Sequence, residues 1–509
     1  MECGGNKMVI KPVRTSKKLG NGEEEEALLS PNSRLFHEPN YNVHIIAIMG
    51  WKVPVDVDAM KGELQHKVLK HPRFSSLQVM DESDGNGKMR LVPTSVNLDD
   101  HITVPDLKPN PNNMDTDKLV EDYISNLSTT TLDTSKPLWD LHILNVKTSH
   151  AKATSIFRFH HSLGDGVSLI SLLLSCFRKS SDPTSLPTLP VSSSSSSSKG
   201  KSNLSISNRK NICSLIWQYV VKLRLFISLL FNTIVDVLLF VATALFLKDS
   251  QSPFTAAQGF KSSTRQRFIY RTVSLDDIKF IKNATNCTVN DVMLGITQAA
   301  LSRYIHRRYV EVEGKRKFSL ERMRCRATVI VNLRPALGVH AVSKMIEKNA
   351  AVIQGNCFAF VIIPLNIVQL ENPLDYVRKA KTTMDRTKHS LASLCTFYVL
   401  QFILKFFGFK GATTLAARVV SQTTLIFSNV AGPLEEVSWS GHPLAFLAPT
   451  CYGHPGLMVH ACSYAKQLTF AVAVDEGLIP DPNQLGDDFV DALMLIKEAA
   501  LSKFRTKID

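Results

Sequence analysis

One short stretch of the chain combines residue types that could do chemistry: His160-His161-Ser162-Leu163-Gly164-Asp165-Gly166. An imidazole titrates near neutral pH, so His161 could take a proton from a hydroxyl group and pass it to a leaving group within one cycle. Those two transfers suit acyl transfer to an alcohol. We therefore expect His161 to be a general base, with His160 in a supporting role.

The remaining polar and glycine residues of the stretch are expected to shape it. Asp165 is too close in sequence to His161 to act as a freely placed acid, and a buried carboxylate needs a cation. We expect Asp165 to be structural, and we expect Arg334, at the end of a predicted strand, to brace it bidentately. Gly164 and Gly166 are expected to allow backbone conformations and a close ligand approach that a side chain would block.

Three other interpretations of the stretch compete with a base. A metal site would need both histidines, but His160 and His161 point to opposite faces of a strand, so we expect no metal. The pair could be structural, with one imidazole in the core and the other exposed. A serine hydrolase would use Ser162, yet no Gly-x-Ser-x-Gly turn surrounds that serine.

The elements around the stretch predict a first α/β domain at residues 35–179, preceded by a disordered polar tail at residues 1–34. A strand at 154–159 is expected to deliver the histidines to a cleft, and a helix at 167–177 to leave it. The other predicted elements are strands 42–49, 88–92 and 141–146 and helices 57–69 and 117–127.

A second α/β domain is expected at residues 266–509. Its predicted strands are 267–273, 326–333, 357–363 and 423–428, with a hairpin formed by 457–464 and 468–474. Its predicted helices are 288–304, 373–389 and 485–501.

Two unusual segments separate these domains. Residues 180–210 contain seven consecutive serines and are expected to be a linker. Residues 211–248 are expected to associate with a membrane, because 225–247 is apolar apart from Asn232 and Asp236 and is long enough to cross a bilayer. A buried core helix is the alternative.

Both domains must lie on one side of a membrane if together they build one active site. We therefore expect residues 212–247 to dip into the bilayer as a hairpin or to lie in its interface, with Lys222 and Arg224 reaching the headgroups. A second apolar stretch, Phe397 to Phe409, contains Lys405 and is expected to be a core helix, with a membrane-facing surface as the alternative.

The composition limits the classes of partner. The formal net charge of +14 favours anionic partners such as nucleic acid, acidic lipid headgroups or coenzyme A. The basic residues are scattered, and zinc-finger spacing and aromatic RNA-binding boxes are lacking, so we expect no nucleic-acid partner. The nine cysteines show no metal-ligand spacing, which is typical of free thiols in a reducing compartment.

The stretch at 160–166 matches the HHxxxDG signature of the coenzyme A-dependent acyltransferases that include chloramphenicol acetyltransferase. Three further segments follow in family order: Pro137-Leu138-Trp139-Asp140-Leu141-His142, Asn290-Asp291-Val292-Met293-Leu294-Gly295 and Ser428-Asn429-Val430-Ala431-Gly432-Pro433. Together they make the chain resemble the plant-type bifunctional wax ester synthases/diacylglycerol acyltransferases over about residues 40 to 500. One departure is Gln354, where the family pattern leads us to expect an aromatic residue.

The resemblance implies a two-domain, chloramphenicol-acetyltransferase-like α/β fold with an inserted apolar membrane segment. It also implies a tunnel in which His161 deprotonates an alcohol that attacks an acyl-CoA thioester, with no permanently bound cofactor. Asn290 would position the reacting groups, or instead cap its helix. Ser428, Asn429 and Gly432 would line the tunnel, or instead form a strand and turn.

The acceptor implied by the resemblance is a long-chain alcohol or diacylglycerol, and the location is the endoplasmic reticulum membrane with the site facing the cytosol, or the plasma membrane. No protein partner is indicated. An acyltransferase for soluble alcohols or amines and a catalytically silent lipid-binding protein of the same fold are the alternatives. The apolar segment argues against the first, and the intact signature against the second.

Overall fold

The computed structural model describes residues 27–81, 87–107, 115–190, 212–255, 265–308, 323–333, 356–453 and 456–505. The strands, in chain order, are β1 (Ala27–Leu28), β2 (His44–Trp51), β3 (Ser76–Met80), β4 (Met89–Pro93), β5 (Ile102–Thr103), β6 (Trp139–Leu144), β7 (Ala153–His160), β8 (Arg178–Lys179), β9 (Gln266–Ser274), β10 (Arg326–Asn332), β11 (Phe358–Pro364), β12 (Leu425–Ala431), β13 (Val437–Trp439), β14 (His442–Tyr452), β15 (Leu457–Tyr464) and β16 (Gln467–Asp475). The helices are α1 (Pro31–Arg34), α2 (Val57–Glu63), α3 (Thr116–Leu127), α4 (Gly166–Cys176), α5 (Ile212–Leu245), α6 (Leu275–Thr285), α7 (Val289–His306), α8 (Leu374–Lys388), α9 (Ala392–Ser421) and α10 (Pro482–Arg505).

The first large sheet has the strand order β5-β6-β7-β2-β14-β13-β8. Its central strand β2 is antiparallel to both β7 and β14, and Ile45 of β2 pairs with Phe159 on one side and Cys451 on the other. Every residue of β2 and β7 is buried, so both faces of these strands are covered. Trp139 of β6 is a core residue, and its indole donates a hydrogen bond to the Phe74 carbonyl oxygen at 3.0 Å.

The second large sheet has the strand order β11-β10-β12-β15-β16-β9. Helices α6, α7, α8 and α10 contribute Ile278, Ile296, Val377 and Ile496 to the apolar core beneath it. The parallel pairing of β12 with β15 places Ser428 opposite His460. A smaller sheet, β1-β4-β3, lies beside the first domain. The expected two-domain α/β fold is therefore confirmed.

The division between the domains differs from the expected boundary at residue 266. Strands β13 and β14 belong to the second half of the chain but complete the sheet of the first domain. Trp439 of β13 packs there against Trp51 and Phe177, with ring centroids 6.5 and 5.3 Å apart. The second half of the chain thus supplies part of the first domain.

The expected tail and linker are also narrower than their sequence suggested. Residues 27–34 form β1 and α1, and Ser33 and Arg34 are buried. At the start of the linker, the Ser180 backbone N–H donates to the Glu436 carbonyl oxygen at 2.8 Å. Residues 1–26 and 191–211 lie outside the described residues.

Helix α5 is continuous over 34 residues, so the hairpin expected over 212–247 is wrong. Of its described side chains, only Asp236, Phe240 and Thr243 are buried, at a spacing that places them on one face of the helix. This face packs on the second domain, where Asp236 pairs with Arg386. The charge of Asp236, which would be costly in lipid, is therefore neutralised by Arg386.

Helix α9 breaks at Gly408, whose φ of +69° lies in the left-handed region that favours glycine. Before the break, Tyr398, Phe402, Phe406 and Phe407 are exposed, the last two by 62% and 65%. The core helix expected at Phe397 to Phe409 is therefore wrong. By length and composition, Ile216–Leu245 and Ala392–Ser421 are the two helices of the described residues that could cross a membrane.

Candidate active site

A cavity of about 110 Å³ lies between the two domains, where β7 ends. Both halves of the chain line it, and most of its wall is apolar. The lining residues are Phe36, Tyr41, Val43, Ile45, His161, Asp165, Gly166, Ile330, Phe358, Phe360, Val420, Ile426, Ser428, Val430, Pro449, Thr450, Cys451 and His460.

His161 presents its ring to this cavity from the start of a 3₁₀ turn, His161–Leu163, directly after β7. The Phe36 ring stacks on the imidazole, with centroids 4.1 Å apart and planes at 14°. Its backbone N–H donates to the Val43 carbonyl oxygen at 2.9 Å. Nδ1 has no hydrogen-bond partner among the described residues. The ring is thus held by stacking and by a fixed main chain.

The protonation state of His161 follows from its surroundings. Burial lowers the pKa of His161 to about 4, outweighing the opposite effects of its own backbone, the Asp165 carboxylate and Asn356. The imidazole is therefore neutral at pH 7. A neutral imidazole has a lone pair that can accept a proton, which is what a general base needs.

His160 is the last residue of β7, is buried and does not line the cavity. Its Nδ1 lies 2.6 Å from Ser162 Oγ and its Nε2 lies 3.1 Å from Asn42 Oδ1. The His37 ring lies against it at 4.6 Å between centroids. The two adjacent histidines thus occupy different environments, and only His161 reaches the cavity.

Asp165 is the N-cap of α4. Its carboxylate accepts hydrogen bonds from Ser168 N at 3.0 Å and Ser168 Oγ at 2.8 Å, and a weaker one from Cys357 N at 3.3 Å. These bonds tie the start of α4 to β11 of the second domain. Arg334, expected to pair with Asp165, lies outside the described residues.

Arg73 and Asn356, which the sequence analysis did not assign, hold the main chain of the 160–166 stretch. The buried Arg73 Nη1 donates to the carbonyl oxygens of Ser162 and Leu163 at 3.0 and 3.1 Å. Asn356 Nδ2, from the second domain, donates to the His161 carbonyl oxygen at 2.8 Å. Both domains therefore fix the backbone of the candidate base.

The two glycines of the stretch do not need an unusual backbone. Gly164 has φ 165° and ψ 167°, which is extended backbone, and neither glycine has a φ in the left-handed region. The expectation that Gly164 and Gly166 are needed for an unusual backbone conformation is therefore wrong. Gly166 does line the cavity, and a Cβ there would contact Val430 Cγ2 at 3.6 Å. Its expected contribution to substrate access stays a prediction.

A small polar patch, defined here as Ser428, Thr450, Cys451 and His460, interrupts the apolar wall. Thr450 Oγ1 lies 3.2 Å from His460 Nδ1, and Cys451 Sγ lies 3.7 Å from His460 Nε2. Burial, together with a smaller effect of nearby His161, lowers the pKa of His460 to about 4. A second neutral imidazole thus lines the same cavity as His161.

The other residues assigned from the sequence lie elsewhere. Asn290 and Asn429 are exposed, do not line the cavity and bond to each other, with Asn429 Nδ2 donating to Asn290 Oδ1 at 2.7 Å. The N-cap of α7 is Thr288, so Asn290 is not the helix cap. At Gly432 a Cβ would lie 2.2 Å from the Ser463 carbonyl oxygen, so this glycine permits close strand packing. Of the Ser428–Pro433 segment, Ser428 and Val430 reach the cavity.

Phe36, Arg73, Asn356, Thr450 and His460 carried weak sequence signals. His460 is a polar residue within the apolar alternation of β15, which was the one available hint. The others become site residues only through long-range packing. Among the described residues, no group of three or more His, Cys, Asp or Glu side chains could hold a metal ion.

A neutral imidazole therefore faces an apolar cavity between two α/β domains, an arrangement that suits acyl transfer. Family models show the class: the model for the wax ester synthase/diacylglycerol acyltransferase catalytic domain matches residues 36–293, and the model for the WS/DGAT C-terminal domain matches residues 354–497. The chain therefore belongs to the wax ester synthase/diacylglycerol acyltransferase family, and it is an acyltransferase.

Named relatives extend over nearly the whole chain. Wax ester synthase/diacylglycerol acyltransferase 11 of Arabidopsis thaliana is 43% identical over 96% of this chain and 98% of its own length. Wax ester synthase/diacylglycerol acyltransferase 4 of Arabidopsis thaliana is 41% identical over 95% of this chain and 92% of its own.

The fold resembles that of solved structures. The wax ester synthase/diacylglycerol acyltransferase from Marinobacter aquaeolei VT8 has a TM-score of 0.57 at 15% identity, covering 93% of this chain and 100% of that one. The first condensation domain of the CDA synthetase has a TM-score of 0.52 at 12% identity, covering 94% and 98%. The two-domain architecture is thus shared with distant enzymes.

Proposed function

We propose that the protein is a membrane-associated O-acyltransferase that moves a long-chain acyl group from acyl-CoA to a long-chain alcohol, and also to diacylglycerol. The observation that carries the proposal is the neutral His161 ring in an apolar cavity between the domains. The names of the Arabidopsis thaliana relatives support both acceptors. An apolar wall suits the hydrocarbon chains of either substrate.

His161 acts as the general base in this proposal. It takes the hydroxyl proton while the alcohol oxygen attacks the thioester carbonyl carbon. When the tetrahedral intermediate collapses, the carbon–sulfur bond breaks and the imidazolium returns its proton to the leaving thiolate. Phe36 and Asn356 keep the ring and its main chain in place throughout.

Acyl-CoA enters as a cosubstrate, with no permanently bound cofactor. The net charge of +14 favours approach of the coenzyme A phosphates. Every cysteine among the described residues is a free thiol, which fits a protein that faces the cytosol. We place the protein at the endoplasmic reticulum membrane on that side.

Two apolar helix faces support the proposed membrane contact. The described part of α5 from Ile216 to Phe231 has no buried side chain, and its exposed apolar surface continues along the helix to Leu245. Such a large exposed surface, mostly apolar, is unfavourable in water and favourable in lipid. Both α5 and α9 pack on the second domain, so they can enter the interface while both domains stay on one side.

The test of activity uses microsomes that contain the protein, labelled palmitoyl-CoA, and either hexadecanol or a diacylglycerol. We expect labelled wax ester, and labelled triacylglycerol from the second acceptor. The variant His161→Ala should lower both by at least about 10²-fold, because general base catalysis contributes about 10²- to 10⁴-fold. Unchanged transfer by a folded His161→Ala protein would contradict the base assignment.

The test of membrane contact is flotation with liposomes. Substitution of Phe402, Phe406 and Phe407 with serine should weaken flotation without lowering the melting temperature, because these rings are exposed. The control is serine substitution of the exposed Leu434, which lies outside both helices. Equal flotation of all three proteins would contradict a role for α9.

A further inference from the structure

The cavity contains a second imidazole to which the proposed reaction assigns no role. His460 lies on β15 of the second domain, next to Ser428 on β12, and lines the same cavity as His161. An acyl chain needs no hydrogen bonds, whereas the reacting carbonyl and hydroxyl groups do. The polar patch is therefore where these groups can be solvated inside an otherwise apolar wall.

The contacts around His460 fit a tautomer with the hydrogen on Nε2. Cys451 has a single thiol hydrogen, and it is directed to Met458 Sδ at 3.5 Å, where the thioether can only accept. Cys451 Sγ is then an acceptor for the group at His460 Nε2, 3.7 Å away. This arrangement favours the tautomer of His460 with its hydrogen on Nε2.

The other nitrogen of the ring is then an acceptor. Thr450 is buried, and its hydroxyl lies 3.2 Å from His460 Nδ1. With Nδ1 unprotonated, Thr450 donates to it and fixes this tautomer. The Nε2 hydrogen is left with only a thiol sulfur, a weak acceptor at long distance. A carbonyl oxygen in the cavity would be a better partner.

We propose that His460 donates its Nε2 hydrogen to the thioester carbonyl oxygen of the acyl donor while negative charge develops on that oxygen. This inference rests on the proposed function and adds an electrophile to it. The alcohol proton goes to His161, the new carbon–oxygen bond forms, and His460 stabilises the oxyanion without transferring its own proton. The carbon–sulfur bond then breaks and His161 protonates the sulfur.

The neutral state of His460 suits this task. Its pKa of about 4 keeps it uncharged at pH 7. A neutral imidazole can polarise a carbonyl group through its N–H without bringing a positive charge to the substrate before the reaction. A donor fixed in advance by Thr450 requires no reorganisation when the charge develops.

The kinetic test compares His460→Phe, which removes both nitrogens, with His460→Gln, whose amide can place a donor near the Nε2 position. We expect His460→Phe to lower kcat by about 10²- to 10³-fold, the loss typical of one oxyanion donor, with KM for both substrates changed less than threefold. His460→Gln should recover at least tenfold of that loss. The control is His66→Phe, at an exposed position outside the cavity.

A second measurement is spectroscopic and starts from the wild-type protein. Infrared spectra of acyl-CoA labelled with ¹³C at the carbonyl should show a lower stretching frequency when bound to the wild-type protein than in an apolar solvent. Thr450→Val, which removes the group that fixes the tautomer, should reduce this shift. A bound carbonyl with no shift, or a folded His460→Phe protein with wild-type kcat, would overturn the proposal.

The outcomes separate this inference from the function on which it rests. A wild-type protein inactive with every alcohol and diacylglycerol would contradict the proposed function. An active wild type, an inactive His161→Ala variant and a fully active His460→Phe variant would contradict only the role of His460.

Discussion

The Phe36 ring lies face to face with the His161 imidazole, with centroids 4.1 Å apart and planes at 14°. Phe36 comes from the segment before β2, far from His161 in the chain. Stacking of this kind fixes the plane of the ring without using either nitrogen. It therefore orients the proposed base, whose Nδ1 has no hydrogen-bond partner among the described residues.

Replacing Phe36 with alanine should lower kcat by about 10- to 100-fold, because a misplaced catalytic group can cost as much as 10²-fold. Phe36→Leu keeps much of the apolar volume and should lose less. Steady-state kinetics on both variants, with thermal melts, checks this. Equal kcat for Phe36→Ala and the wild type would show that stacking does not orient the base.

Replacing Arg73 with methionine should destabilise the protein, because the carbonyl oxygens of Ser162 and Leu163 would lose their donor. Each buried acceptor left unsatisfied costs about 1–3 kcal/mol. Urea titration followed by tryptophan fluorescence measures the change. Arg90→Met is the matched control, since Arg90 is partly exposed and its ion pair with Asp81 contributes at most about 1 kcal/mol.

Asp165 offers a test that separates a structural role from an acid–base role. Asp165→Asn keeps an acceptor for Ser168 N and should retain activity within about tenfold, because asparagine caps helices as well as aspartate does. Asp165→Ala should lower stability by about 1 kcal/mol or more. If Asp165→Asn were as inactive as His161→Ala, the carboxylate charge itself would be needed for the reaction.

The pH profile follows from the lowered pKa of His161. Since the folded pKa is about 4 and the ordinary value 6.5, the ring stays deprotonated down to about pH 5. We expect kcat/KM to be nearly flat from pH 7 to pH 5 and to fall through pH 4. Rapid assays on enzyme kept at pH 7 until mixing measure this, and an acid limb centred near 6.5 would contradict it.

The same histidines make folding stability depend on pH. His37, His161 and His460 have folded pKa values of about 4, so below pH 6.5 the unfolded chain binds protons that the folded protein does not. Their contribution to stability is fully present above pH 6.5 and is lost as the pH falls to about 4. Melting temperatures recorded across that range should decrease steadily.

Substitution of two glycines with alanine should change the stability of the protein in opposite directions. At Gly432 the new Cβ would lie 2.2 Å from the Ser463 carbonyl oxygen, so Gly432→Ala should destabilise the protein strongly. At Gly62, in α2, the space is open, and alanine should stabilise the helix by about 0.5–1 kcal/mol. Thermal unfolding of the two variants measures both signs.

The sequence predicted the elements near the candidate base well because their signals are local. The strand expected at 154–159 and the helix at 167–177 are β7 and α4 to within two residues. The hairpin at 457–464 and 468–474 is equally close. The alternation of apolar residues in strands and their spacing in helices depend only on neighbouring residues, so both can be recognised without knowledge of the tertiary structure.

Strand β14 was missed, and with it much of the cavity wall. Pro443 and Pro449 argue against a strand, since proline lacks the N–H of a ladder bond. Strand β13 pairs with β14 only at residues 442 and 443. At Pro449, β14 therefore has β2 as its single neighbour in the sheet, and on the open side a missing N–H costs no ladder hydrogen bond. Thr450 and Cys451 were missed for the same reason.

The surface position of α9 could not be read from its composition. An apolar helix in the core and one that lies in lipid have the same residue types, and only the packing partner distinguishes them. The exposed Phe406 and Phe407 show that this part of α9 does not lie in the core. The role of Asp236 was also hidden, because its partner Arg386 is distant in the chain.

The passage of β13 and β14 into the first sheet has a consequence for synthesis on the ribosome. Until residues 442–452 emerge, β2 lacks its neighbour on one side, although all of its residues are destined to be buried. A nascent chain therefore carries an unpaired apolar strand edge for most of its translation, a state prone to self-association. The first domain can be completed only after nearly nine-tenths of the chain has been synthesised, so the first half of the chain is not an autonomous folding unit.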